Sequence, residues 1–201
     1  MNNPENSSID LSYNSLDYIH ILTEIERRAY ADRAEHLADA DFWNVPEEML
    51  LSKFYAKERV SSININEATL STDISYGNSY INQSEETTHF SIVDSFGNAV
   101  SVTTTLNGWF GNGLCVEGAG FLMNNEMDDF SIKPGHPNMY GLIGSKANEI
   151  QPKKRMLSSM TPTIVTNSDG SPFLVLGSPG GSTIILSLIH ISEPTRPERI
   201  S

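Results

Sequence analysis

The chain changes texture once, at Thr87, and that change limits its possible folds more than any other feature of its 201 residues. Before it, apolar residues recur at helical spacing; after it, they alternate as in strands. Leu16, Ile19, Leu22, Ile25 and Ala29 stand three or four apart, which predicts an amphipathic helix over 16–39 with Ser15 as N-cap and Asp17 in the first turn. A second helix is predicted to begin near Pro46, with Glu47 and Glu48 in the turn where the helix dipole favours acids and Met49, Leu50 and Phe54 as apolar contacts. Residues 61–86 are rich in Asn, Ser and Thr without periodicity and read as an exposed connection.

From Thr87 onward, Thr88, Phe90 and Ile92 alternate with His89, Ser91 and Val93. A Ser95-Phe96-Gly97-Asn98 turn and the Val/Thr-rich run Ala99 to Leu106 complete a hairpin. A second pair, Thr163 to Thr166 and Phe173 to Leu176, is joined by Asn167-Ser168-Asp169-Gly170 and leads into Gly177-Ser178-Pro179-Gly180-Gly181. Helices followed by antiparallel hairpins give an α+β class. No internal repeat is visible.

Charge removes several classes of partner. A net charge of -12 and a pI near 4.7 oppose binding to a phosphate backbone or an anionic membrane surface, and no basic run interleaves with aromatic residues. Cys115, the single cysteine, cannot form an internal disulfide, and the five histidines lack companions at metal-ligand spacing. Neither a metal nor another cofactor is expected. The first residues, Met1 to Ser8, lack the basic and apolar regions of a signal peptide, and no apolar run is long enough to span a bilayer.

The junction Glu85-Glu86-Thr87-Thr88-His89-Phe90, where the polar connection meets the first strand, can carry chemistry. A Thr there can attack the carbonyl of Glu86, form an ester by N-to-O acyl shift, and be released by hydrolysis. The new terminus then holds two reagents. Its hydroxyl is a nucleophile, and its α-amine, with a pKa far nearer neutrality than a lysine's, is a general base. Taken alone, the Thr pair is better read as an ordinary strand start.

Four further segments follow in order: Thr103-Thr104-Thr105-Leu106-Asn107, Asn124-Asn125-Glu126-Met127-Asp128-Asp129-Phe130, Leu157-Ser158-Ser159-Met160-Thr161-Pro162-Thr163, and Gly177-Ser178-Pro179-Gly180-Gly181. With the Thr87 junction, and from the Tyr30-Ala31-Asp32-Arg33-Ala34 helix to Ile185, they resemble the γ-glutamyltransferase family of autoprocessing N-terminal-nucleophile hydrolases. The resemblance implies a partial αββα sandwich, cleavage between Glu86 and Thr87, and Thr87 as nucleophile. Thr105 matches the second threonine, which bonds the nucleophile and assists processing. Gly180 and Gly181 match the oxyanion-hole pair, where absence of a Cβ lets main-chain donors approach.

A γ-glutamyl group presents a zwitterion, so its pocket needs acceptors for an ammonium and donors for a carboxylate. Asn107 and Asp129 match the family's ammonium contacts, and Ser158 and Ser159 its carboxylate donors. Glu126 stands where bacterial relatives often carry glutamine; it can still accept from an ammonium, and its charge is expected to perturb Asp129. The Gly/Pro-rich stretch from Pro134 to Ser145 resembles the lid loop, with Tyr140 as the covering tyrosine. Trp109, Phe110 and Cys115 are read as packing residues. The family's arginine clamp lies earlier in the large subunit, and no arginine here matches it.

The implied organisation is 1–86 as the end of a large subunit and its linker, 87–185 as the first half of the small catalytic subunit, and 186–201 as a non-native tail. That tail, Leu186 to Arg196 above all, looks like the translation of a sequencing adaptor. The expected activity is γ-glutamyl transfer from, or hydrolysis of, glutathione and γ-glutamyl amides, with amino-acid or peptide acceptors or water. Large and small subunits from one precursor are expected to form a heterodimer in the periplasm or outside the cell, with an export signal earlier in the reading frame. The segment alone, with an open sheet, is expected to be poorly folded, uncleaved and inactive. Two alternatives remain: a β-lactam or glutaryl acylase on the same scaffold, which would have no α-amine for Asp129 to meet, and a cleavage-dead binding or structural module.

Overall fold

The computed structural model describes residues 9–75, 87–139 and 141–192. Glu86 and Tyr140, and so the cleavage and lid assignments resting on them, lie outside the described residues. Helices occupy Leu16–His36 (α1), Glu47–Leu50 (α2), Lys53–Ser61 (α3) and Ile184–Ser192 (α4), and strands Thr87–Val93 (β1), Ala99–Thr105 (β2), Thr163–Thr166 (β3) and Pro172–Leu176 (β4). The class is α+β.

The hydroxyl of Ser15 caps α1 by accepting from the Tyr18 amide at 3.1 Å, as the sequence predicts. The buried face of α1 is not the predicted one. Leu16, Ile19 and Ile25 are exposed, whereas Glu24, Arg28 and Ala31 are buried. Mutual satisfaction of charge explains it: Glu24 accepts from Arg28 at 2.6 Å, from Arg27 at 2.5 Å and from the Thr69 hydroxyl at 2.6 Å. Arg28 also reaches the Ser62 hydroxyl at 2.9 Å. Ser62 and Thr69 belong to the connection read as exposed, which is largely so in its described part but is tied to α1 by these polar side chains.

The second predicted helix is two. Ser52 caps α3 by accepting from the Tyr55 amide, which breaks the segment after α2. Phe54, expected as an apolar contact, is 79% exposed, and Met49 is exposed as well.

Each hairpin is a two-stranded antiparallel sheet, β1 with β2 and β3 with β4, as read from the alternation. The first turn is closed by Asp94, whose carboxylate accepts the amides of Phe96 and Asn98. The half-buried face of β1 carries Thr87 and His89, while Phe90 and Ile92 point to the exposed side. The inward position of His89 follows from its bonds to Thr103 Oγ1 at 2.8 Å and Ser91 Oγ at 2.9 Å. Strand β4 lies beside the first hairpin, and Ser101 Oγ donates to the Leu176 carbonyl at 2.9 Å.

Leu176, Ile184 and Leu188 form the buried apolar cluster, with Met160 and Leu174 against it. Helix α4 thus continues past Ile185 into the stretch set apart as a tail, and Leu188 packs there. Trp109 and Phe110 are over 70% exposed and Cys115 is exposed, against the packing role expected of them. Their segment folds on itself through Asn112 N to Met123 O, Met123 N to Leu114 O and a Cys115–Leu122 bridge, which turns these side chains outward.

Candidate active site

The hairpin register places Thr105 directly opposite Thr87, and opposed residues of an antiparallel pair stand about 4.5–5.5 Å apart at Cα. The Thr105 hydroxyl accepts from the Asn107 amide at 2.9 Å, which turns the chain sharply after β2. Asn107 has φ +71°, a left-handed conformation that Asn tolerates better than most side chains, and it is buried. Its Nδ2 donates to the Asn125 carbonyl at 3.3 Å, and Asn125 Oδ1 accepts from the Gly108 amide at 2.8 Å. The end of β2 is thereby stitched to the acidic turn Glu126–Asp129.

That turn is held from both sides. The Asp128 carboxylate accepts from the Met139 amide at 2.8 Å, and Asn148 Nδ2 donates to the Asp129 carbonyl at 2.8 Å. The Asp129 carboxyl is pushed up to about 6, by burial first, then by the charges of Glu126 and Asp128, while Arg33 opposes the rise. Burial also raises the Glu126 carboxyl. The perturbation of Asp129 by Glu126 is the effect expected from the sequence.

Asn148 ties a second segment to the turn, since its Oδ1 accepts from the Leu157 amide at 3.1 Å. Next along the chain, Ser158 Oγ accepts from the Met160 amide at 3.1 Å, and Ser159 Oγ accepts from Arg33 Nη2 at 2.8 Å. Gly180 and Gly181 have φ of +130° and +55°, which favour glycine, and open the short turn Gly181–Thr183 that feeds α4. Thr183 closes it with both its amide and its hydroxyl on the Gly180 carbonyl. Tyr30 OH donates to the Ser182 carbonyl, and the His89 ring lies against Gly177 so closely that a Cβ there would stand 2.1 Å from it.

These segments enclose a cleft of about 340 Å³. Thr87 and Thr105 line it from the hairpin, Asn107 and Asp129 from the acidic side, and Ser158, Ser159 and Gly181 from the opposite side. Gly180 and Glu126 flank the cleft without lining it. Tyr30 and Arg33 line it from α1, and sequence reasoning missed both. The only signal was their separation by three residues, which puts them on one helix face but does not say what the face meets. Asn148, the tie between the acidic turn and the segment that begins at Leu157, carried no signal. Among the described residues no group of His, Cys, Asp and Glu suits a metal ion, and no helix is long and apolar enough to cross a membrane.

A family model described as Gamma-glutamyltranspeptidase matches residues 3–192. The glutathione hydrolase proenzyme of Escherichia coli (strain K12) is 51% identical over 179 residues, which are 89% of this chain and 31% of that protein. Acylase ACY 1 proenzyme of Pseudomonas sp. (strain SE83) is 36% identical over 181 residues, 90% of this chain and 30% of that one. Among solved structures, the γ-glutamyltranspeptidase from Pseudomonas nitroreducens complexed with L-DON superposes with a TM-score of 0.50 at 60% identity, covering 55% of this chain and 58% of that one. The chain spans about a third of the length of the curated relatives it matches.

Proposed function

Because the chain belongs to the γ-glutamyltranspeptidase family, we propose that it is part of a precursor that cuts itself between Glu86 and Thr87 and then uses Thr87 to move γ-glutamyl groups. The division follows from that cut: 1–86 ends a large subunit, 87–185 begins a small one, and 186–201 is a tail foreign to both. The hairpins are parts of an αββα sandwich completed elsewhere in the precursor. The subunits stay together as a heterodimer, exported to the periplasm or beyond the cell.

Processing needs no cofactor. Thr87 Oγ attacks the Glu86 carbonyl, the acyl group passes from nitrogen to oxygen and so frees the Thr87 amine, and water hydrolyses the ester to free the Thr87 hydroxyl and the Glu86 carboxylate. In turnover that amine takes the Oγ proton as Oγ attacks the γ-carbonyl of glutathione or another γ-glutamyl amide. Amides of Gly180 and Gly181 receive the developing oxyanion. The amine returns its proton to the leaving nitrogen, and water or an amino-acid or peptide amine then displaces the γ-glutamyl group from Thr87. Asp129, Asn107 and Glu126 meet the donor's ammonium, Ser158 and Ser159 its carboxylate, and Tyr140 covers the bound group.

The observation that carries this reading is the register of β1 with β2, which sets Thr87 opposite Thr105 on the wall of a cleft also lined by Asp129 and Ser159. Asp129 favours a γ-glutamyl donor over a glutaryl one, which has no ammonium to offer it. The test is release of a chromogenic amine from a γ-glutamyl anilide by the complete precursor. Thr87→Ala is expected to abolish release and leave a single uncut chain, because it removes the nucleophile of both reactions. Unchanged release in that variant removes Thr87 from the mechanism, and release from a glutaryl anilide alone makes the protein an acylase.

A further inference from the structure

Arg33 stands on α1, before the proposed cut, yet its Nη2 lies 2.8 Å from Ser159 Oγ, after the cut, on the wall of the cleft. Burial works against its guanidinium, and Tyr30 and Asp129 act to keep it charged. A cation is thus hydrogen-bonded to one of the two groups that a zwitterionic donor has to meet, the Ser159 hydroxyl, and lies within electrostatic reach of the other, the Asp129 carboxylate.

A serine hydroxyl has one proton to give and two lone pairs to offer. With Arg33 occupying a lone pair of Ser159, the proton has to point elsewhere, and a hydroxyl that accepts from a cation is a better donor to its next partner. Loss of the guanidinium leaves the Ser159 hydroxyl free to rotate away from the donor. We infer that Arg33 is a positioning residue of the α-carboxylate subsite: it aims the Ser159 hydroxyl at the donor's carboxylate from across the subunit boundary.

The inference rests on the γ-glutamyl reading, and the two fail separately. If the unaltered precursor does not turn over a γ-glutamyl anilide, the functional reading is at fault; only where it does so is Arg33 judged. Arg33→Gln is expected to leave cleavage at Thr87 intact and to raise KM for the anilide about tenfold, the effect of losing one well-placed hydrogen bond, with kcat within about threefold. Ser159→Ala is expected to do the same, and the double variant no more than either alone, because both remove one interaction. Arg33→Lys, which keeps the charge and one donor, is expected to recover part of the loss. For a donor lacking the α-carboxylate, a 4-aminobutyryl anilide, Arg33→Gln and the unaltered enzyme are expected to behave alike. A fall in kcat at unchanged KM, additive losses in the double variant, or an equal loss with the decarboxylated donor overturns the inference. If Arg33→Gln does not accumulate, the Arg33→Lys and Ser159→Ala pair decides by the same two donors.

Discussion

In the proposed reaction, burial and function conflict within the side chain of Asp129. Its ordinary pKa of 3.8 is pushed up to about 6 by burial and by Glu126 and Asp128. A protonated Asp129 offers no charge to an ammonium, so kcat/KM for a γ-glutamyl donor is expected to fall as pH drops below about 6, and Asp129→Asn to be weak but flat over that range. Stability runs the other way. The folded chain keeps a proton that the unfolded chain releases between about pH 4 and 6, so the group's stabilising effect is present at low pH and is lost as pH rises through about 6. Asp129→Asn is therefore expected to melt higher than the unaltered protein at pH 7 and at the same temperature at pH 4. Equal melting at pH 7 would show that Asp129 is not strained by its site. Asp129 was singled out in the sequence only through the family resemblance, because an Asp-Asp pair by itself reads as a solvated acidic turn; the structure places it in the cleft wall. Arg33 was not, because nothing in a helix marks which of its cations a later segment will fold over.

Among the elements, both hairpins were legible to within a residue or so. Alternation fixes where a strand runs, and the Asp94 and Asn167 turns fix where it reverses. The helices were less so. The apolar stripe of α1 is mostly exposed and its charged stripe buried, since a satisfied ion pair and a hydroxyl hide as easily as a leucine and periodicity alone cannot announce it. The Gly-rich stretch was legible as a turn, but the contact at Gly177 is tighter than that at Gly180. A Cβ on Gly177 would meet the His89 ring at 2.1–2.7 Å and push apart β1 and the turn after β4. Gly177→Ala is expected to cost about 1–3 kcal/mol, the usual range for overpacking, and to slow γ-glutamyl anilide turnover by displacing Gly181. Melting curves and initial rates check both. A Gly177→Ala protein with unchanged stability would mean that β1 and β4 are not pressed together as described.

At the scale of the molecule, helix α1 and the residues just after it reach across the proposed cut at several points. Tyr30 holds the Ser182 carbonyl, Arg33 holds Ser159, and Asp39 takes the amide and guanidinium of Arg155. The backbone of Ala34 and Glu35 accepts from Ser145. None of these bonds involves the chain between 76 and 86, so severing it leaves the cleft's walls attached to one another. The sequence could not show this, because every such contact joins residues more than 100 positions apart. The mature arrangement is therefore expected to keep its cleft after cleavage, with the α-amine of Thr87 added to it. The most direct measurement is the intact mass and N-terminal sequence of the polypeptides formed by the purified precursor. Two chains, one starting Thr-Thr-His-Phe at Thr87, are expected, together with γ-glutamyl turnover. A single uncut chain that still consumes glutathione would contradict the account.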